Sequence, residues 1–500
     1  MKRFKPLALA VFFATAFSAP LHAQNLSQLY DAAKNYDATY QAVRAQYAAA
    51  QAKLDQAKAT FMPTVALQTS ATRTNTENLT TNNLSQTGID PSILSNKPYL
   101  YQTSTASDAN GLITDKKIGA TIQQNIYTPA NSIAIDQAEK SLQSAKTSMQ
   151  STEQDLMVKV GQAYFDVLSA VESLRFAQTQ KIAVAEQLAS AKRNFEVGTA
   201  TITDSKEAQA RYDLIIAQEI SAENDLIIKS SLLDQTVGVK KSAPKPLKPK
   251  VKLPDLFGTE DYWVNLAMDS SLQIQLKRYD LEIANLEINR AKTGHLPTIV
   301  MNGGYTKNQP NGQTITASNL TGSYSSPDAP YQPNQNIAGA NPRNVANTPT
   351  TTLIPGTNTS YFVGATLNMP LFSGFSVQNR IKETLALVDK ARADLDSAQR
   401  TVTQTVRANF YNLKSVLGQV RAFEAAEESS QSALDANKLG YSVGVRINID
   451  VLNSQSQLFE TKAKLAKARY DVLVGDLKLK QSTGTLKEDD VNNINKLLEN

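Results

Sequence analysis

The side chains able to do covalent chemistry are few in this chain. Cysteine is absent from its 500 residues, and histidine occurs twice, at His22 and His295. A thiolate nucleophile, a disulfide scaffold and a thiolate metal site are excluded. His22 falls in a stretch that reads as an export signal. His295 would then have to serve alone in any Ser-His-Asp triad, and a His-rich metal site is impossible. Its place just before Pro297, at the end of a helical run, suits a cap-region residue. No phosphate loop, paired-carboxylate cleft or metal-ligand spacing rises above chance. What remains is charge and hydrogen bonding at two similar turns. These are Asn194-Phe195-Glu196-Val197-Gly198-Thr199-Ala200-Thr201-Ile202-Thr203-Asp204 and Tyr441-Ser442-Val443-Gly444-Val445-Arg446-Ile447-Asn448-Ile449-Asp450-Val451-Leu452. Gly198 and Gly444 have the place of helix C-terminal glycines. Asp204 with Glu207 has the pattern of a capping box, and Asp450 can cap the helix that follows it.

Long helices must present these turns. From Ile135 to Val197 there is no proline and one glycine, Gly161. Such a helix is on the order of 90 Å long, more than a globular core can bury. Ile135, Ala138, Leu142, Ala145, Met149 and Leu156 recur as in a coiled-coil seam. In the last tract Val451, Leu458, Leu465, Val472 and Leu479 repeat every seven residues, and so do the adjacent Leu452, Phe459, Ala466 and Leu473. Two neighbouring seams give one helix a partner on either side, which predicts a sheet or tube of helices.

Strand-like stretches alternate with these tracts. Val65, Leu67, Thr69 and Ala71 share a face, as do Ile118, Ala120, Ile122 and Ile126. In the second half the same holds for Ile299, Met301, Gly303 and Tyr305, and for Tyr361, Val363, Ala365, Leu367 and Met369. The opposite faces carry Gln68, Ser70, Thr72, Thr121, Gln123, Asn125, Asn302, Thr306, Thr366 and Asn368. Such strands mark an outer-membrane barrel, and equally a half-buried strand of a soluble sheet. Long polar loops are expected roughly from Asn78 to Lys116 and from Asn308 to Thr359.

The order of textures occurs twice. Met62-Pro63-Thr64 matches Leu296-Pro297-Thr298 at an offset of 234; Gly119 matches Gly364 at 245; Gly198, Asp204 and Gly238 match Gly444, Asp450 and Gly484 at 246. This is an internal duplication. The expected organisation is a signal peptide over 1–23, a first repeat over 24–239, a Lys/Pro-rich linker over 240–257, a second repeat over 258–484 and a tail over 485–500. The linker reads as a solvated, extended spacer. The signal has a basic start (Lys2, Arg3, Lys5), an apolar stretch from Leu7 to Phe17 and a cut after Ala23. No later stretch is apolar enough for a membrane helix, so insertion must use strands.

The net charge is +5. Removing the three signal cations and the six lysines between Lys240 and Lys252 leaves −4, so no dispersed basic face addresses nucleic acid. Four strands cannot close a barrel, and lipid does not tolerate an open strand edge. Several copies must contribute. Eight strands would leave a filled interior, whereas three copies give twelve and room for water.

With these features the chain resembles the TolC family of outer-membrane efflux and secretion channels. The duplicated strand-loop-strand between long helices and the two glycine-punctuated turns carry the likeness, over nearly the whole mature chain. The fold class implied is α with a membrane β-barrel: long coiled-coil helices form an α-helical barrel, and four β-strands join a shared twelve-stranded trimeric barrel. The resemblance implies a homotrimer in the outer membrane of a Gram-negative bacterium, with a large periplasmic portion. It conducts drugs or secreted polypeptides from an inner-membrane transporter, with a periplasmic adaptor protein docked to it. No cofactor and no enzymatic activity are implied. It also implies a periplasmic gate in which Tyr441 and Arg446 face Thr203 and Asp204, and a lumen ring at Asp450. At the place of the family's second acidic ring this chain has Asn453, which predicts weaker cation capture. A structural or adaptor coiled-coil protein of the periplasm or cell surface is the alternative from another class. An exported hydrolase would need convergent polar side chains in a cleft, and the sequence offers none.

Overall fold

The computed structural model describes residues 24–88, 99–199, 201–248, 251–325, 350–353 and 356–499. The expected signal over 1–23 lies outside the described residues. The chain forms two compact units. Lys58–Ser132 and Lys292–Phe375 make one, and the rest of the chain makes the other.

The second of these is helical. It holds α1 (Leu26–Tyr36), α2 (Ala38–Ala59), α3 (Pro129–Glu196) and α4 (Ile202–Val237), then α5 (Glu260–Ser270), α6 (Leu272–Lys292), α7 (Ser376–Ser442) and α8 (Asn448–Thr483), and ends with α9 (Glu488–Asn495). The lengths run 11, 22, 68 and 36 residues, then 11, 21, 67 and 36. Each expected first run is two helices, broken where Asp37 and Ser271 leave helical geometry. Asp37 Oδ1 then accepts from the Tyr40 N–H at 2.9 Å and starts α2.

The two seams of α8 explain its position. Leu473, Val474 and Leu477 pack with Leu156, Val160, Tyr164 and Phe165 of α3, and with α1 and α9. Leu465, Val472 and Leu479 pack with Val402, Val406, Phe410 and Leu413 of α7, and with Trp263, Ala267 and Ile274. Helix α8 thus lies between α3 and α7, as two adjacent heptad stripes require. Among the described residues no helix is long and apolar enough to cross a membrane.

The linker over 240–257 is not a free spacer. Asp234 accepts from the Lys241 and Ser242 N–H groups at 2.7 and 2.8 Å. Gln24 N–H donates to the Ala243 carbonyl, and Lys245 N–H donates to that of Gln24. Lys248 N–H donates to the Leu497 carbonyl, and Glu499 N–H donates to that of Pro246. Leu247 and Leu253 pack on the core shared by α1, α3 and α8. Prolines suppress helix without preventing edge pairing, and the intervening leucines supply anchors that the Lys/Pro composition obscures.

The other unit is a sheet. β1 (Thr64–Gly88) pairs antiparallel with β2 (Tyr99–Tyr127), and β2 with β3 (Thr298–Ser325). β4 (Thr350–Leu353) and β5 (Asn358–Asn368) both pair with β3, so four ribbons lie side by side. Much of the span expected as loops over 78–116 and 308–359 is therefore strand. Strand continues to Gly88, resumes at Tyr99, and runs in β3 to Ser325. These arms are rich in Thr, Asn and Ser. Threonine favours strand, and backbone ladder pairing needs no apolar alternation in the sequence.

Register sorts the side chains into two faces, since opposed residues point the same way. One face carries the rows Val65–Ile122–Gly303–Val363 and Leu67–Ala120–Tyr305–Tyr361. The other carries Thr64–Gln123–Asn302–Gly364 and Gln68–Gly119–Thr306–Ser360. The apolar face is uncovered within the chain: Leu67, Tyr361 and Val363 are 75%, 86% and 76% exposed.

Candidate gate at the helix turns

Both turns end a helix on a glycine in the left-handed region, Gly198 at φ 79° and Gly444 at φ 80°. At the first, the Thr199 N–H reaches back to the Asn194 carbonyl at 2.8 Å. At the second, the Val445 and Arg446 N–H groups reach the Gly440 carbonyl at 2.9 and 3.1 Å. These bonds satisfy carbonyls left open at a helix end.

The next helix starts differently in each half. Thr201 is the N-cap of α4. Its hydroxyl accepts from the Asp204 N–H at 3.2 Å, and Asp204 Oδ2 accepts from the Thr201 N–H at 3.0 Å and the Thr201 hydroxyl at 2.7 Å. Asp204 is thus the closing member of a capping box that begins three residues earlier than the Asp204–Glu207 pattern suggests. In α8 the N-cap is Ile447, which has no side-chain cap bond. Asp450 holds the position equivalent to Asp204, but isoleucine offers no hydroxyl. The Asp450 carboxylate instead lies 3.6 Å from Arg446 Nη1.

Within one chain, then, Arg446 meets Asp450 rather than Asp204. Thr203 is exposed in the first turn of α4. Tyr441 packs beside Leu434, Val451 and Leu458, and its hydroxyl accepts from Asn194 Nδ2 at 3.3 Å. That bond joins the second repeat's turn to the end of α3, nine and ten residues before Thr203 and Asp204.

Composition alone did not expose a polar ladder behind these turns. Gln180 Nε2 donates to Ser456 Oγ at 3.1 Å, Gln187 Nε2 to Asn448 Oδ1, and Asn194 Nδ2 to Tyr441. Residues 180, 187 and 194 are spaced by seven along α3. That heptad of amides was the available signal. Asn453 accepts from Arg211 Nη2 of α4 at 3.2 Å. The position where the resemblance implies a second acidic ring is thus occupied by an amide held to a guanidinium.

Comparison with known proteins assigns the chain to a family. The profile described as outer membrane efflux protein matches residues 29–239 and 263–485. The chain belongs to the outer membrane efflux protein family. It is 28% identical over 496 residues to the outer membrane protein TolC of Vibrio cholerae, covering 99% of this chain and 98% of that one. It is 26% identical over 348 residues to the alkaline protease secretion protein AprF of Pseudomonas aeruginosa, covering 68% of this chain and 64% of that one. The crystal structure of VceC, an outer membrane protein of Vibrio cholerae, superposes with a TM-score of 0.66 at 15% identity, over 92% of this chain and 96% of that one. That likeness bears on the fold.

Proposed function

We propose that three copies of the chain close one twelve-stranded barrel, and that an inner-membrane transporter and a periplasmic adaptor dock to the trimer. The protein is an outer-membrane efflux and secretion channel with a large periplasmic portion, and its family relatives are channel proteins. One observation carries the trimer reading. The four-ribbon sheet has an uncovered apolar face and a Gln-, Asn-, Ser- and Thr-rich face, while β1 pairs only with β2 and β5 only with β3 among the described residues. Lipid excludes such open edges, and twelve strands leave a water-filled interior lined by the polar face. The soluble coiled-coil alternative would leave Val65, Leu67, Tyr361 and Val363 in water, and is not favoured.

In this reading the channel performs no chemistry of its own, and docked partners supply the energy. Tyr441, Arg446, Thr203 and Asp204 hold the periplasmic entrance shut, and Asp450 forms a ring of carboxylates around it. An exposed arginine–carboxylate pair contributes only about 0–1 kcal/mol, so contacts repeated around a ring can hold helices and still yield to a partner. Carboxylates brought together by symmetry concentrate cations. Polypeptides and small molecules are both candidate cargo, given relatives described as efflux and as protease secretion proteins. Graded cross-linking of the protein in membranes tests the assembly. It should stop at three subunits, and the same preparation should conduct in planar bilayers. A water-soluble single subunit would overturn the reading.

A further inference from the structure

We propose that the outward face of the sheet carries a binding site for the phosphate groups of an outer-leaflet glycolipid, built from Lys307, Lys116 and Arg73. The inference rests on the barrel reading and goes beyond it. Rows on the apolar face run from Ile299–Leu367 through Met301–Ala365 and Val65–Ile122–Gly303–Val363 to Leu67–Ala120–Tyr305–Tyr361. The six steps from Ile299 to Tyr305 span about 20 Å of strand, close to the height of a barrel's apolar band. This band begins where the chain enters and leaves the sheet, at Thr64, Tyr127, Thr298 and Asn368, and ends on the tyrosine pair Tyr305–Tyr361. Such aromatics sit at a membrane interface.

The character of the face then changes at once. The next row is Thr69–Ile118–Lys307–Thr359, the one after is Ala71–Lys116–Gln309, and the third is Arg73–Thr114–Asn311. Each cation is displaced from the last by one strand and two residues. Such diagonal neighbours lie about 7–8 Å apart in an antiparallel sheet. Lys116 and Arg73 are exposed and Lys307 is half-buried. Lys116, Lys307, Thr69, Ile118 and Gln309 line a shallow depression of about 590 Å³. Among strand residues with described side chains the one acid is Asp115, and its row, Thr72–Asp115–Pro310, faces the other way. Among the residues with described side chains, no carboxylate on this face balances the three cations.

Position and charge select the ligand. The cations stand just beyond the apolar band, at the end opposite the residues where the chain enters and leaves the sheet. In an outer membrane that is the outer leaflet, whose glycolipids carry phosphates at the level of the interfacial aromatics. Ammonium and guanidinium groups bind phosphate oxygens through charge-assisted hydrogen bonds. Lys117, the remaining strand cation, borders the same depression but belongs to the opposite-facing row Ser70–Lys117–Asn308–Asn358.

The test uses the assembled full-length protein in neutral phosphatidylcholine, after its conductance has been recorded in planar bilayers. A preparation that does not conduct would count against the channel reading itself. For a conducting one, the temperature at which detergent dissociates the oligomer is measured with bis-phosphorylated lipid A, with dephosphorylated lipid A and with phosphatidylglycerol. Bis-phosphorylated lipid A is expected to raise it by roughly 5 °C, as a ligand of the native state must, and the other two by much less. The R73Q/K116Q/K307Q variant should lose the shift, R73K/K116R/K307R should keep it, and K117Q should keep it. An equal shift with dephosphorylated lipid A or with phosphatidylglycerol, or a full shift in the glutamine triple variant, would overturn the proposal.

Discussion

Arg446 and Asp450 stand one helical turn apart, 3.6 Å between charged atoms, while Tyr441 is bonded to Asn194 across the two repeats. An arginine held this way leaves donors free for a neighbouring copy, because a guanidinium carries five. The double substitution Tyr441→Ala with Arg446→Ala should therefore raise single-channel conductance in planar bilayers, and an unchanged conductance would refute the gate assignment. Asp450→Ala should weaken block by divalent cations applied to the periplasmic side, since the ring would lose its charge. Asp37 gives a test by pH. Burial raises its pKa, but bonds from the Tyr40 N–H and Lys159 outweigh this and hold the carboxyl below its ordinary value. A carboxyl depressed in the folded state contributes stability above its unfolded pKa of about 3.9 and loses it as pH falls through the folded value. Asp37→Ala should cost about 1 kcal/mol near neutral pH through loss of the cap, and the gap to the parent should close below about pH 4, followed by thermal unfolding across pH.

At the scale of elements, the same glycine geometry serves different ends. Gly444 and Gly484 both end long helices at positive φ, 80° and 76°. A Cβ on Gly444 would meet nothing within 4 Å, whereas on Gly484 it would lie 2.3 Å from the Ser270 carbonyl oxygen. Gly444→Ala should therefore cost about 1 kcal/mol of backbone strain. Gly484→Ala adds a clash with backbone that cannot turn aside, for a total of about 3 kcal/mol or more in denaturant or thermal unfolding. Helix α8 and its two partners were legible because heptads state directly which stripe is buried. The turns were legible because a left-handed residue demands glycine. The capping frame at Asp204 was read three residues late because Thr201-Ile202-Thr203-Asp204 offers several oxygens in a row, and geometry chooses among them. The strap over 240–257 was misread because composition reports solvation, whereas its fixation comes from backbone bonds to Gln24, Leu497 and Glu499, far away in sequence. The polar arms of the hairpins were misread for a related reason: ladder pairing is a backbone property, and alternation shows only where one face meets an apolar medium.

For the molecule as a whole, side chain and assembly are linked by multiplication. The two faces of the sheet were visible in the alternation of Val65, Leu67, Tyr361 and Val363, and the register has since aligned them into continuous rows. What no single sequence states is how many copies share the wall, because strand edges carry no side-chain signature of their neighbour. A charge on the lipid face reads that number out. Val363 opposes Gly303 in the middle of the apolar rows. An arginine at a barrel's midplane costs about 2–4 kcal/mol, so three copies together make Val363→Arg cost about 6–12 kcal/mol, comparable to the whole stability of many folded domains. Thr366 lies on the opposite face, in the row with Val300 and Asn125. An arginine there meets lumen water and should be tolerated. Val363→Arg is therefore expected to abolish the heat-modifiable oligomer in outer-membrane detergent extracts, while Thr366→Arg keeps it and alters conductance. Equal tolerance of both would mean that the apolar face meets protein or water instead of lipid, and the barrel with its entrance would have to be given up together.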